Sequence, residues 1–478
     1  MPLCDSDEDD HQPERPYQAE LDSPYFTTNT KLHVLISGAG IAGLMLAILL
    51  EHLEISYEII ERCREMKPLG SVMCLNANVL PVFDQLGMKK EIMAASKPIR
   101  EFNFFRGSMK RLGQYTDNNA LERDGYERLV LSRPKLHQIL MSKIPPEKIH
   151  MGNKVKALNQ SEDGVGIRCT DKTEFYGDIL VGADGAYSAI RQSLYFQLKQ
   201  EGLLPEADMR AMSKGFVCLV GVTTELDPSL FNGVEDQYSS GSVMISDNTP
   251  YTWSTFTVPD NKICWNVIIQ LSAQESEEAQ FRTSEWGPET SDKILKDVGE
   301  YRTPFGQLAD LIRQTPRELI SQVFLEDILY ETWAHGRVAL IGDACHKLLP
   351  NAGQGAVNAI QDAVILANCL YEIKPNPSHE NLVRALQTYR GERYSHVKTQ
   401  HSVSQLSAKV QLGHSWGEKM LRYFVLSMLP KKMQLKQVVK DSAYAPLIAF
   451  LPQPEVFKLK QGKGNVLPQR EWVQVAKA

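Results

Sequence analysis

Long hydrophobic runs are missing from this sequence. The best of them, LMLAILL from Leu44, falls far short of the ~20 apolar residues that cross a bilayer, so no spanning helix is expected. Positive charge is not in excess either: 52 Lys and Arg stand against 58 Asp and Glu, a formal net charge of -6. No stripe of basic residues interleaved with aromatics offers a track for a phosphate backbone, which argues against nucleic acid as a partner. Cysteines are scattered at Cys4, Cys63, Cys74, Cys169, Cys218, Cys264, Cys345 and Cys369, with no C-x-x-C pair and no histidine cluster at metal spacing. They read as reduced thiols, and no metal site is expected. The amino terminus lacks the basic start and apolar stretch of a secretory signal; residues 1–30 are acidic and polar and read as a disordered leader. A cytoplasmic protein is the expectation that remains.

What is present suits an ordinary globular chain: 43% hydrophobic and 23% charged residues over 478 positions, enough to bury one large core or two. Near the carboxyl end, LRYFVLSMLP and YAPLIAFLP bracket the lysine-rich KKMQLKQVVK. Helices packed on the body of the protein are the first reading of this region, and a peripheral membrane contact is the second.

The stretch KLHVLISGAGIAGLMLAILLEHLEISYEIIER predicts a strand over 32–37, a glycine turn, an amphipathic helix over 41–53 and a strand over 57–60. Gly38, Gly40 and Gly43 fill G-x-G-x-x-G. The first permits the tight turn, the second lets a pyrophosphate approach the backbone, and the third lets helix and strand pack closely. Free amides and the dipole at the helix start hold the phosphates. Glu61 falls at the end of the second strand, where a carboxylate accepts hydrogen bonds from both ribose hydroxyls. This argues for FAD or NAD and against a 2′-phosphate at that position.

Two further stretches share the same grammar. DILVGADGAYSAIR places a strand over 179–181 before Asp184 and Gly185, which by themselves are equally well explained as turn chemistry. GDACHKLLPNAGQGAVNAIQDA, beginning at Gly342, sets Asp343 at a strand end and Gly353, Gly355 and Ala356 before a helix. Asp343 can accept from a ribityl hydroxyl, and the amides of 351–355 suit the negative charge that builds on a reduced flavin's N1–C2=O edge. An NAD site has no need of this third element. His346 reads as a packed or hydrogen-bonded histidine.

Taken together, SGAGIAG with IIER, LSRPKLHQIL, ILVGADGAYSAIR and GRVALIGDACHKLLPNAGQGAVNAIQDA resemble the class A flavoprotein monooxygenases, whose fold is that of the para-hydroxybenzoate hydroxylase family. SEWGPE at Ser284 to Glu289 and LLPNAGQGAVNAIQDA are similar to the fungal FAD-dependent epoxidases of indole-diterpene and meroterpenoid pathways. The resemblance implies an α/β fold: a Rossmann-like FAD-binding domain (31–210 with 330–375), an inserted, mainly antiparallel substrate sheet (211–329) and a helical carboxyl-terminal region (376–478). It places Glu61 on the adenosine ribose, Arg133 near the FAD pyrophosphate, Asp343 on the ribityl or pyrophosphate side and the backbone around Gly353 to Ala356 at the isoalloxazine. Cys74 stands where relatives commonly touch the cofactor through Gly or Ala. Asp184 is linked in relatives to FAD and to reduced nicotinamide. Arg191 carries a catalytic or substrate-orienting role in some relatives, paired with a tyrosine; here the matching aromatic is Phe216, which has no hydroxyl.

From about residue 213 to 269, GFVCLVGVTT, GSVMIS, YTWSTFTV and ICWNVIIQL read as antiparallel strands. Trp253, Phe256 and Trp265 are candidates for either the wall of a substrate pocket or the core of the sheet. An apolar, closed pocket suits a flavin C4a-hydroperoxide, which water would discharge. The expected activity is therefore an FAD-dependent monooxygenase that takes NADPH or NADH as a transient electron donor and inserts one atom of O2 into a lipophilic substrate. Epoxidation of an isoprenoid double bond comes first, with any ring closure left to a partner cyclase. The alternatives are an aromatic-ring hydroxylase of the same fold, a nicotinamide dehydrogenase, and a noncatalytic flavin-binding scaffold.

Overall fold

A computed structural model of the chain describes residues 32–279, 288–375, 377–428 and 443–456. The leader, residues 284–287 of SEWGPE and the lysine-rich KKMQLKQVVK lie outside the described residues.

Six strands form a mostly parallel sheet in the order Ala334–His335, Val338–Leu340, Ile179–Gly182, His33–Ser37, Ser56–Glu61, Ile149–Met151. Only the edge pair at 334–335 runs antiparallel. The inner strands are apolar at nearly every position and almost wholly buried, because helices cover both faces of such a sheet. Helix Ile41–Leu53 follows the first strand and, unlike the amphipathic helix expected, is buried at eleven of its thirteen positions. Helices Arg133–Met141 and Gly355–Ile373 close over the side that the first βαβ unit would leave in water. Since the four central strands are parallel, the loops after Ser37, Glu61, Gly182 and Leu340 all leave the same edge of the sheet.

An eight-stranded sheet packs beside it, in the order His346–Lys347, Ser321–Leu329, Ser213–Val222, Lys262–Gln270, Tyr251–Val258, Gly241–Ile245, Glu101–Arg106, Arg111–Thr116. The strands anticipated after residue 213 are present, and the sheet also recruits the hairpin 101–116 through a parallel pairing with Gly241–Ile245. Strand alternation divides its side chains between two faces. Val217, Leu219, Trp253, Trp265 and Val267 pack with Val298, Leu308 and Leu311 on the far side. Phe216, Cys218, Ile268 and Leu325 meet Leu349, Ala408 and Leu412, while Val220, Cys264 and Phe256 meet Val72 and Cys74 on the near side. Of the three aromatics weighed as pocket wall, Trp253 and Trp265 are core of the far face, their indole N–H groups donating to Arg302 O at 2.8 Å and Thr315 Oγ1 at 2.9 Å.

Helix His379–Leu412 spans the back of the molecule. Its Ser404 donates to Leu349 O at 3.0 Å and its Gln411 to Asn351 O at 3.4 Å, bracing the loop that precedes helix Gly355–Ile373. A shorter helix, Trp416–Tyr423, continues through Phe424–Met428. No helix among the described residues is long and apolar enough to cross a membrane. Cys74, Cys169, Cys218, Cys264, Cys345 and Cys369 are free thiols as expected, whereas Cys63 is disulfide-bonded.

Candidate cofactor site

At the shared sheet edge, the glycine turn works by permitting contacts that a side chain would block. Gly38 has φ +108°, and a Cβ there would stand 2.6 Å from Ala183 O. The loops that follow His33–Ser37 and Ile179–Gly182 can therefore touch, with Ala183 N donating to Ser37 O at 2.8 Å, while Gly38 N donates to Ile60 O of the strand on the other side at 2.8 Å. A Cβ on Gly43 would fall 2.1 Å from Gly38 O, so this glycine seats the helix on the turn. Gly40 is the N-cap of helix Ile41–Leu53 and offers no side chain to its amides, which stay available to an anion.

Glu61 is buried, and two backbone amides orient its carboxylate: Ala39 N at 2.7 Å from Oε2 and Cys63 N at 2.8 Å from Oε1. Each oxygen keeps a lone pair for a further donor. Helix Arg133–Met141 brings two residues one turn apart to the same place. Arg133 lies along Gly70 and makes no side-chain hydrogen bond or ion pair among the described residues. Burial lowers its pKa, and the nearby Asp343 carboxylate opposes that shift. A half-buried guanidinium with no side-chain partner among the described residues leaves its forked donors free for an anion. His137, four residues on, donates from Nε2 to Ala39 O at 2.8 Å, and burial lowers its pKa. Its part in the glycine loop was missed in the sequence, although the i, i+4 spacing from Arg133 in LSRPKLHQIL carried the signal.

Asp184 uses Oδ2 to accept from Ala189 N at 2.7 Å and Ile190 N at 3.3 Å, capping helix Ala189–Gln200. Its Oδ1 is buried without a partner, and burial raises the carboxyl's pKa. Asp343 follows the strand Val338–Leu340. Burial pushes its pKa up, but the Lys347 ammonium, 2.5 Å from Oδ2, outweighs this and holds the carboxyl below the usual range. Lys347 too was missed in the sequence. Gly353 ends the turn Pro350–Ala352 in the left-handed region, φ +64°. Gly355 opens helix Gly355–Ile373, and a Cβ there would meet nothing within 4 Å.

One cavity of about 360 Å³ touches Gly38, Gly40, Glu61, Arg133, Asp184, Asp343, Gly353, Gly355 and Ala356 together. Lys347 and Tyr187 line it as well; the Tyr187 hydroxyl donates to the buried Glu326. Two of the expected residues stand behind the wall. Gly43 packs the helix, and Cys74 turns its thiol to Asn76 Oδ1 at 3.4 Å, while its neighbours Val72 and Met73 reach the cavity. Burial pushes the Cys74 thiol up to about 11. Arg191 also lies outside the lining. Its guanidinium donates to Ala344 O at 2.9 Å and Ala186 O at 2.7 Å and sits 4.4 Å from the Tyr330 ring. It ties the turn after Gly182 to the turn after Leu340.

His346 is hydrogen-bonded, as expected: Nε2 lies 2.6 Å from Asp362 Oδ2, which also accepts from Gly342 N at 2.9 Å. Arg393 donates to the other oxygen at 2.8 Å. Cys345, His346 and Asp362 bring their ligand atoms within 4.8 Å of one another. A cation there would face Arg393, and both Asp362 oxygens are already engaged, so the group is a buried ion-pair network holding the Gly342 turn.

The cavity fits FAD on three grounds. Gly40 and Gly355 leave open backbone at two helix starts, Asp184 Oδ1 is buried without a partner while the half-buried Arg133 offers its guanidinium, and the acids Glu61 and Asp343 line the same wall, where sugar hydroxyls would need acceptors.

Comparison with known proteins points the same way. The FAD binding domain family matches residues 31–402. The FAD-dependent monooxygenase ausM of Aspergillus calidoustus is 29% identical over 439 residues, which is 90% of this chain and 90% of that one. The FAD-dependent monooxygenase terM of Tolypocladium album is 30% identical over 403 residues, 82% of this chain and 80% of its own. Among solved structures, Klebsiella pneumoniae HpxO complexed with FAD and uric acid superposes with a TM-score of 0.71 at 22% identity, covering 87% of this chain and 97% of that one. At that identity the likeness is one of fold.

Proposed function

The chain belongs to the FAD binding domain family, and from that premise we propose that it is a monooxygenase that uses NAD(P)H and O2 to oxygenate a lipophilic substrate, by epoxidation of an isoprenoid double bond in terpenoid or meroterpenoid secondary metabolism. It is an FAD-dependent oxidoreductase, like the monooxygenases it resembles over most of its length. The observation that carries the reading is a cavity where four loops meet, lined by Arg133 and by Asp184, whose Oδ1 is buried without a partner.

Bound FAD would supply electron transfer from NAD(P)H and activation of O2. Glu61 would hold the adenosine ribose, Arg133 and the start of helix Ile41–Leu53 the pyrophosphate, Asp343 the ribityl chain, and the backbone of Gly353 to Ala356 the flavin edge. Arg191 acts in this reading as a positioning residue, because its guanidinium is tied to two backbone carbonyls and lies outside the cavity lining. Keeping water out would fall to the near face of the large sheet, where Val220, Cys264 and Phe256 pack against Val72, itself in the cavity wall. That face also supports a lipophilic substrate. A nicotinamide donor would bind transiently, since the dinucleotide turn at Gly38 is taken up by FAD.

An epoxide product is set up for acid-promoted ring closure, so a cyclase is the natural partner in the pathway, and the carboxyl-terminal region is the natural contact with a membrane. The second reading, hydroxylation of an aromatic ring, is weakened by Phe216, which has no phenol to share with Arg191. A dehydrogenase leaves the element from Asp343 to Ala356 without a use.

The deciding experiment is a visible absorption spectrum of the purified protein, followed by anaerobic NADPH and then air, with a prenylated aromatic substrate present. Flavin bands that bleach, return and leave an oxygenated product are expected. A colourless protein that binds NAD would overturn the reading, and flavin bands without substrate-dependent turnover would favour a noncatalytic scaffold.

A further inference from the structure

Five of the twelve large hydrophobic side chains that stand exposed among the described residues fall within thirteen positions of one another. Trp416 is 80% exposed, Met428 62%, and Met420, Tyr423 and Phe424 52% each. All belong to helix Trp416–Tyr423 and its continuation Phe424–Met428, where offsets of four, seven, eight and twelve residues from Trp416 set them along one side. A stripe of this kind in water calls for a partner.

The helix cannot roll to bury it. A capping box fixes the first turn, with Ser415 Oγ accepting from Glu418 N and Glu418 accepting from Ser415 N at 3.0 Å. On the opposite side, the buried Arg422 donates to Val410 O at 2.8 Å and to Gly413 O. Lys419 Nζ donates to Asp247 O at 2.8 Å, and Ser427 Oγ to Leu112 O at 3.2 Å. Gly113 has no side chain where one is impossible: a Cβ there would stand 2.7 Å from Leu426 O. The apolar side is therefore held outward by contacts with the last strands of the large sheet.

Charge decides what covers it. The hairpin on which the helix rests exposes Lys110 and Arg111. From Leu429 to the end, the sequence carries nine basic residues and three acidic ones, although the whole chain sums to -6. KKMQLKQVVK, which follows the helix almost at once, has four lysines and no acid. We propose that helix Trp416–Met428 docks the protein on an anionic lipid surface, with its aromatic and methionine side chains at the boundary between headgroups and acyl chains. Trp and Tyr suit that depth because each joins an apolar body to a polar tip. The basic excess supplies the electrostatic part of binding. The docked helix rests on the hairpin that ends the large sheet, whose other edge brings Lys347 to the cavity, so a lipophilic substrate would arrive from the bilayer side. That last step rests on the proposed function; docking does not.

The test is co-sedimentation of the full-length holoprotein with vesicles of phosphatidylcholine alone or mixed with phosphatidylserine, at low and high salt. The wild type is compared with the triple variant W416S/F424S/M428S, and flavin content and molecular mass are read in parallel. We expect the wild type to partition about tenfold better onto phosphatidylserine vesicles, to lose this at high salt, and to lose it in the variant with flavin content unchanged. Equal partition of wild type and variant would overturn the proposal. So would a dimer of the wild type, formed without vesicles and abolished in the variant, which would make a second copy of the chain the occupant. A colourless protein that still binds vesicles would sink the flavin reading and leave docking standing.

Discussion

Oε2 of Glu61 lies 2.7 Å from the amide nitrogen of Ala39, so the acid that ends one strand holds the glycine loop that ends its neighbour. In the proposed reading one carboxylate thereby serves both the apo fold and the cofactor. Glu61→Ala is expected to raise the Kd for FAD by tenfold or more and to lower the apo melting temperature, since a hydrogen bond to a charged group contributes about 1.5–3 kcal/mol. Fluorescence titration with FAD and thermal melting of the apoprotein read the two effects separately; an unchanged apo melting point would refute the structural half.

Gly38 and Gly355 are predicted to differ in kind. Gly38→Ala puts a methyl 2.6 Å from Ala183 O at a left-handed φ, which should destabilise the apoprotein by about 2 kcal/mol or more. Gly355 is helical with open space before it, so Gly355→Ala should leave apo stability unchanged or slightly higher while weakening FAD binding. Denaturant melts of both apoproteins, with FAD titrations alongside, check the contrast.

Arg191→Met removes two donors from buried carbonyls, Ala344 O and Ala186 O. A stability loss of about 2–4 kcal/mol and weaker FAD affinity are expected, with kcat per bound flavin retained when FAD is saturating. A kcat that falls while affinity and stability hold would make Arg191 a catalytic residue.

Acid should destabilise the fold through two histidines. Burial, helped by the Arg393 charge, lowers His396 from its usual pKa to about 3, and burial with the Arg422 charge lowers His414 to about 4. Below pH ~6.5 the unfolded chain takes up protons that the folded one refuses, so stability falls as pH drops toward those values and is flat above. Each group contributes at most about 1.4 kcal/mol per pH unit. His396→Phe keeps the stack on Tyr444, whose ring lies 4.0 Å away, and should flatten the slope between pH 6.5 and 5 as read by chemical denaturation.

The sequence by itself determined the parts whose cause is local. The first βαβ unit, the three glycine or acid turns and the strand pattern from 213 to 270 follow from backbone sterics and side-chain periodicity, which act over a few residues. That is why Gly38, Glu61, Asp184, Asp343 and Gly353 could be named as candidates before their loops were seen to meet. What only the tertiary structure decided is what depends on which surfaces face each other. Helix Ile41–Leu53 is buried on nearly every side because Gly355–Ile373, three hundred residues later, covers it. Trp253 and Trp265 belong to the far face of the sheet through strand register. His137 and Lys347 reach the site, and Arg191 bridges two turns, because parallel strands distant in the chain end at one edge. Periodicity tells a side chain that it must be buried; only the packing of segments far apart in the chain settles against what.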